Sequence, residues 1–539
     1  MSEEQKRSLF VQGSILALAG IITKIIGFVY RIPMANILGD QGNGIYSVAF
    51  GIYNIALTLS SYSLPQAVSK LISEKIAQEQ YENKLRVFRR ALIFALITGT
   101  TACLVLWFGA GFLEGLYARQ GLSRPLRVLA PTTFIVALLG VFRGFFQGHG
   151  DMRPTAASQI FEQIINAVVS IVAAYGLTRM YAGSSEVHSW AAAGGTLGTL
   201  SGAAAALLFF AILTMTRWGS LSRGSLEDTH KKESDAVIYK AVILTVIPII
   251  LSQTIYQIGN TIDDLIFGNL MKANGMSDAV AASMQGVFHT QYIQLVNLPV
   301  AVATAMAAST LPSIAAAYII GKHEEANSRI DTVVKFNMAI AIPSSVGLAV
   351  LGLPIVTVLF PRLVDYRGMS AMLMLTGSSA VIFYALSTIT SSILQGSSHM
   401  KVPVIHSAVS LGIHILLIIV LLKYTDLGIY SLIIGNVSFP LIVCVLNMRS
   451  ITRILDHHWD WKRSFMLPFA ASAVMGLAAW GGYRLLHLLL GGRVVLPLAA
   501  AVIMALVVYG ALILKMRCFS KEELLQFPMG GRIVRLARL

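Results

Sequence analysis

Runs of about 20 mainly apolar residues recur along this chain, and they decide its architecture before any single residue is weighed. At 1.5 Å per residue such a run crosses about 30 Å of hydrocarbon as a helix, with its backbone N–H and C=O groups paired inside the run. Fourteen candidate spans follow, at about 10–37, 44–69, 91–113, 126–147, 155–178, 190–214, 241–268, 284–320, 336–360, 370–394, 402–422, 428–448, 465–489 and 494–514. Of the 539 residues 55% are hydrophobic and 12% charged, with a mean hydropathy of +0.70, outside the range of soluble globular chains. The expected fold is an all-α integral membrane protein with about 14 transmembrane helices.

Charge orients these spans. Inner loops collect Lys and Arg, and a missed span would invert the pattern after it. With the N-terminus inside, 29 of the 41 Lys and Arg fall in inner segments and 11 in outer ones, leaving Lys24 within the first span. The expectation is a multi-pass plasma-membrane protein with both termini cytoplasmic. The net charge of +15 then belongs to short inner loops that face anionic lipid, which argues against a nucleic-acid partner. Cys103, Cys444 and Cys518 are too scattered for a disulfide framework or a zinc site. No small-residue cleavage site follows the first apolar core, so the first span reads as a retained signal anchor.

The chain repeats itself. Leu64 and Pro65 reappear as Leu311 and Pro312, an offset of 247, and Gln147, Gly148, Met152, Arg153 and Pro154 reappear as Gln395, Gly396, Met400, Lys401 and Pro403, an offset of 248 at the glutamine. Six spans separate the copies, so the repeat is parallel, and two six-helix lobes with a cavity between them are expected. The boundaries read as residues 1–216 for the first lobe, 217–240 for a cytoplasmic inter-lobe loop, and 241–450 for the second lobe. An extra transmembrane hairpin follows at 463–516, then a cytoplasmic tail at 517–539. Ser520 and Glu523 have capping-box spacing, and Arg532, Arg535 and Arg538 alternate with apolar residues, which suggests a short helix and a basic, membrane-hugging end.

Polar residues inside the spans carry the functional reading. Lys24 and Arg31 lie two helical turns apart, so both project from nearly one face, and two cations on one stripe suit an anion. Lys24 sits roughly 21 Å from Phe10 along the helix and Arg31 roughly 31 Å, so Arg31 is free to snorkel or to act as an outer-gate cation. Gln253, Gln257, Asn260 and Asp264 make a polar stripe in the seventh span. Gln159, Gln163, Asn166 and Ser170 do so in the fifth, Gly286, Thr290, Gln294 and Asn297 in the eighth, and Tyr384, Thr388, Ser391 and Gln395 in the tenth. Such groups, with Asn54, suit sugar hydroxyls and peptide amides; the plainer reading of each is an interhelical hydrogen bond. Asp263, Asp264 and Glu162 need a cation or a proton, so sodium or proton coupling and a salt bridge both stay open. His406, His414 and His289 lack a third ligand at metal spacing and read as helix-packing residues. Neither a catalytic triad nor a phosphate loop appears, so enzyme activity is not expected.

The segment FRGFFQGHGDMRPTAASQIFEQI, Phe142 to Ile164, resembles the oligosaccharide flippases of the polysaccharide-biosynthesis branch of the multidrug, oligosaccharidyl-lipid and polysaccharide exporter superfamily. Thr23 to Tyr46 and Ser252 to Leu270 resemble the same branch, and within it the Gram-positive group that includes stage V sporulation protein B and related lipid II flippases. The resemblance implies two lobes that rock between inward-open and outward-open states around a cationic cavity. It implies as substrate an undecaprenyl-pyrophosphate-linked saccharide, with the last two helices holding its lipid tail. Lys24 falls where Gram-negative relatives carry a functional arginine, Tyr30 where they carry a second, and Gln294 and Asn297 where they carry a cation and a glutamate.

The expectation is thus a flippase moving a polyprenyl-pyrophosphate-linked saccharide, lipid II first among candidates, to the outer leaflet. Lys24 would pair with the pyrophosphate, with Arg31 and Arg143 as helpers. Asn54, Gln163, Asn166, Gln257, Asn260, Gln294 and Asn297 would contact the headgroup. Membrane lipids and cell-wall synthesis proteins are the expected partners of a monomer, with no cofactor beyond a coupling Na+ or H+. A cation-coupled multidrug antiporter, which acidic residues would dominate, is the rival reading, and another lipid-linked polysaccharide unit is the rival cargo.

Overall fold

The computed structural model describes residues 3–222, 228, 230–319, 321–397, 399–521 and 523; within its helices the side chains of 3–14, 17, 248, 249, 251–258, 260, 307–313, 315–317 and 319 fall outside the description. Sixteen α-helices are found among the described residues: α1 Glu3–Ser60, α2 Leu64–Ala77, α3 Tyr81–Leu116, α4 Ser123–Gly148, α5 Arg153–Met180, α6 Val187–Leu221, α7 Asp235–Ala273, α8 Asp278–Val287, α9 Gln294–Ile319, α10 His323–Leu359, α11 Arg367–Gly377, α12 Ala380–Gly396, α13 Lys401–Tyr424, α14 Tyr430–Leu455, α15 Leu467–Leu489 and α16 Val495–Lys515. Ten of the helical stretches among the described residues are long and apolar enough to cross a membrane, eleven with the pair α11 and α12, which bends by 45°. The all-α membrane fold expected of the sequence is therefore present. The first two spans are the two arms of α1, which meet at a kink where Gly39 leaves helical geometry (φ 71, ψ 171). Only glycine adopts that backbone readily, and the Asn43 amide donates to the Ala35 and Gly39 carbonyls (2.8 and 2.7 Å), satisfying acceptors the break releases.

The chain divides into two compact units, Met1–Gly286 and Val287–Leu539. In the first, α5 and α6 meet along a seam of small residues. A Cβ on Gly194 would stand 2.7 Å from the Ala173 carbonyl and one on Gly202 2.5 Å from that of Glu162, so nothing larger than glycine fits. With its backbone pressed on α6, α5 turns Gln163 towards α1 and the Glu162 carboxylate towards α4. Phe88, Phe145, Phe146 and Phe210 fill the core beneath, with Phe142 partly buried against them.

The segment before α7 docks on the α2–α3 corner. Asp235 pairs with Arg86 (2.9 Å) and Arg90 (2.7 Å), Glu233 pairs with Lys75, and Asn83 bonds the backbone of Lys231 and Glu233. Asp228 accepts from the Glu82 and His230 N–H groups, and these bonds hold its carboxyl at about 2. Buried Lys84 caps the C-terminal end of α6 through the Leu221 carbonyl (2.7 Å); burial lowers its ammonium from the ordinary value.

In the second unit a π-helical turn, Phe288–Ile293, leads into α9. Tyr292 OH reaches the Gly377 carbonyl and Asn436, and the Asn436 amide reaches Tyr384 OH (3.1 Å). The extra hairpin, α15 and α16, packs on α10, where Tyr509 OH donates to the Ala339 carbonyl (2.7 Å). After α16 the chain folds back: Phe519 stacks on Phe336, Glu523 pairs with Lys335 (2.7 Å), and Ser520 and Glu523 form the expected capping box. Arg532, Arg535 and Arg538 lie outside the described residues.

Candidate functional site

Lys24 is exposed on α1, and among the described residues no carboxylate pairs with it. Fifteen residues separate it from the Gly39 break, about 22 Å of helix, so it sits deep in the first span rather than at an end. One turn along the same face, a Cβ on Gly27 would stand 3.1 Å from Gln163 Nε2. The structure thus brings the fifth-span amide against the stripe that carries Lys24. Arg31 does not reach out to water as a snorkelling cation would: it is half-buried, its Nε has no partner among the described residues, and its guanidinium lies 5.6 Å from the Phe50 ring centroid. Asn54 is half-buried one span further on.

Arg143 and Glu162, read from sequence as a helper cation and an unassigned acid, are partners. Arg143 Nη2 stands 2.6 Å from Glu162 Oε2, and its Nε and Nη2 lie 3.3 and 3.2 Å from Ser158 Oγ. For Glu162 the salt bridge rather than an ion site is what the geometry presents. Asn166 and Ser170, further along the same helix, tie helices together: the Asn166 amide reaches Tyr30 OH (3.3 Å), and Ser170 donates to the Gly195 carbonyl (2.7 Å). At these two positions the fifth-span stripe is packing, because α6 approaches too closely to leave a wet face.

Asp263 and Asp264 are buried, and Asp264 accepts from the Gln285 amide (3.1 Å). Gln285 belongs to a network that the sequence reading missed. Arg119, 1% exposed in the α3–α4 turn, bonds the Asp278 carbonyl (2.9 Å), the Asp278 carboxylate (2.8 Å) and the Gln285 side-chain oxygen, while the Gln120 N–H donates to the other Asp278 oxygen (2.8 Å). Burial lowers the Arg119 guanidinium from its ordinary value, against the opposing pull of Asp278 and Asp264. Nothing in the spacing of residues about 160 positions apart announces this contact; the one signal was an arginine in a short turn between two apolar spans.

Within the second unit Gln294 is buried at the end of the π-helical turn, a local geometry that often marks functional sites, and Asn297 is exposed one turn on. Gln253, Gln257 and Asn260 lie outside the residues whose side chains are described. His406 bonds Asn447 (2.7 Å), which also reaches Thr390 and Ser391, and His414 bonds the Gly435 carbonyl (3.0 Å), so both are packing histidines. Among the described residues no three His, Cys, Asp or Glu side chains converge as a metal site would require.

The family model described as "Polysaccharide biosynthesis protein" matches residues 11–318. The chain is 26% identical to the lipid II flippase MurJ of Bacillus subtilis (strain 168) over 89% of its length and 88% of that protein's. It is 23% identical to stage V sporulation protein B of the same organism, over 98% and 99% of the two chains. Among solved structures, a lipid II flippase MurJ in an inward closed conformation superposes with a TM-score of 0.67 at 14% identity, covering 93% of this chain and 98% of that one. A multidrug resistance MATE family transporter of the MOP superfamily, inward-facing, gives 0.66 at 19%, covering 80% and 95%. At these identities the superpositions establish the fold.

Proposed function

This chain belongs to the polysaccharide biosynthesis protein family, and on that premise we propose that it is a flippase for a polyprenyl-pyrophosphate-linked saccharide, with lipid II as its cargo. The observation that carries the reading is Lys24: an exposed ammonium deep in α1, without an acidic partner among the described residues, one turn from the Gln163 amide. A cation buried in a membrane costs about 2.5 to 3.5 kcal/mol on insertion scales, so one kept unpaired has a task. An ammonium is a point charge suited to phosphate, and neighbouring amides suit sugar and peptide groups. Movement of an anion outward is favoured by an inside-negative potential, worth about 2.3 kcal/mol per charge per 100 mV, so no nucleotide is needed. Both termini cytoplasmic, as the distribution of Lys and Arg favours, would load the cargo from the inner leaflet.

Gln163, Asn54, Gln294 and Asn297 remain the headgroup candidates, and Arg31 a neighbouring cation. The rival antiporter reading requires carboxylates open to small cations, whereas Glu162 already faces the Arg143 guanidinium and Asp264 accepts from the Gln285 amide. The test is leaflet accessibility of lipid II in proteoliposomes. Translocation that depends on the protein supports the reading; none from correctly folded protein overturns it.

A further inference from the structure

Two arginines of the first unit are held in opposite ways. Arg119 is sealed at 1% exposure, and its bonds to Asp278 and Gln285 engage both terminal nitrogens. Arg143 meets Glu162 through a single nitrogen–oxygen contact, with side chains 14% and 25% exposed. Among the described residues Arg143 Nη1 and Glu162 Oε1 have no partner. The first arrangement is a closed, buried brace in which, among the described residues, Arg119 Nε alone of its nitrogens lacks a partner; the second is half-made and open.

Ser158 explains why Arg143 would stay in place without its carboxylate. The Ser158 hydroxyl donates to the Thr155 carbonyl (2.8 Å) and so presents its lone pairs to Arg143 Nε and Nη2. The guanidinium is held by an oxygen that no ligand needs to displace, while Glu162 holds it by one contact that a better anion can replace. A guanidinium is a planar fork matched to two acceptor oxygens at once, and two parallel charge-assisted bonds are stronger than one.

We propose that Glu162 is an exchangeable counterion that occupies Arg143 in the substrate-free protein and yields it to the pyrophosphate, thereby setting which anionic lipids the protein accepts. The inference rests on the flippase reading above and deepens it. An unpaired guanidinium at this depth would be taken by any phospholipid phosphate, since those are the commonest anions in the membrane. With Glu162 in place an incoming lipid must beat an existing ion pair. A pyrophosphate diester, with two phosphoryl groups and about two negative charges, does so by offering more charge and acceptor oxygens on two phosphorus atoms. A single phosphodiester, already balanced in many lipids by a headgroup cation, does not. Glu162 is thus a specificity-determining residue, and Arg143 the group it guards.

The test uses the full-length protein in nanodiscs of zwitterionic lipid, with the methyl esters of farnesyl pyrophosphate and farnesyl monophosphate, a pyrophosphate diester and a phosphodiester, as probes and binding read by calorimetry. Wild type should favour the pyrophosphate. Glu162→Gln keeps the size and one hydrogen bond to Arg143 but removes the charge, so it should tighten both probes, the monophosphate more, and narrow the preference about tenfold. Arg143→Gln should weaken pyrophosphate binding alone and in combination with Glu162→Gln, and the double variant should resemble Arg143→Gln. Unchanged or weaker affinities in Glu162→Gln, with a lower melting temperature, would make the pair a structural brace and overturn the proposal; so would failure of both probes to bind either protein. Lipid II translocation by the same proteins in proteoliposomes separates the two readings. Wild type that flips while Glu162→Gln keeps full selectivity sinks this inference alone. The predicted selectivity change in a protein that flips nothing supports the exchange and sinks the flippase reading.

Discussion

Replacing Arg119 with methionine should destabilise the Met1–Gly286 unit by about 3 to 4 kcal/mol, although nothing in the proposed substrate path is touched. Methionine keeps an apolar stem of similar length, so the loss is electrostatic. Removing one partner of a buried ion pair costs about 3 to 5 kcal/mol, because the other charge stays behind in low dielectric. Here the orphan is Asp278, whose side chain is 18% exposed and keeps the Gln120 N–H, which places the ionic part near the lower end of that range. The Gln285 oxygen also loses its Arg119 donor, adding about 1 kcal/mol for an unsatisfied buried acceptor. Equilibrium unfolding in mixed micelles would read the total, and a cycle with Asp278→Asn would isolate the pair: the double variant should lose about 2 kcal/mol less than the sum of the singles. A loss below 1 kcal/mol for Arg119→Met, or strict additivity, would refute the claim that the α3–α4 turn is braced against α7 and α8 through this charge.

Two further outcomes follow from the segments between α6 and α7 and after α16. Cys518 is fully buried under the tail, and burial pushes its thiol up to about 11, so at pH 8 its thiolate fraction is roughly two orders of magnitude below that of a free cysteine. Maleimide labelling should therefore be slow in wild type and at least about tenfold faster in Lys335→Ala, which frees Glu523; equal rates would deny that the ion pair closes the tail. Asp228 is depressed to about 2, so its contribution to docking the inter-lobe segment is complete above about pH 4 and is lost as pH falls towards 2. Amide exchange at Glu82, corrected for the intrinsic rate, should accelerate over that interval and already at neutral pH in Asp228→Asn; a flat profile would contradict the assigned bonds.

The architecture was legible because hydrophobicity and charge act over whole segments. The repeated Gln–Gly corners are an instance: α4 ends at Gly148 and α5 starts at Arg153, and α12 ends at Gly396 and α13 starts at Lys401, the same interval in both copies. Side-chain partnership was harder to see. Arg143 and Glu162 were each noticed but given separate roles, since 19 residues across a helical corner is no helical spacing. The amide at Asn166 looked like a cavity group until the approach of α6 at Gly198 and Gly202 turned that stretch into packing. Arg119 escaped altogether, because its partners belong to a segment that the repeat assigns to the second copy. The Gly39 break, by contrast, was legible as a boundary, since the spans read at 10–37 and 44–69 bracket it; the role of Asn43 in closing it was not.

The central claim is that Lys24 receives the pyrophosphate, and the most direct measurement compares lipid II translocation in proteoliposomes for wild type, Lys24→Ala and Lys24→Arg. Because Lys24 is exposed and has no acidic partner among the described residues, neither substitution should disturb folding. Translocation should fall at least about tenfold in Lys24→Ala, about 1.4 kcal/mol in the binding or transfer step, and return largely in Lys24→Arg. Wild-type translocation by well-folded Lys24→Ala would contradict the account.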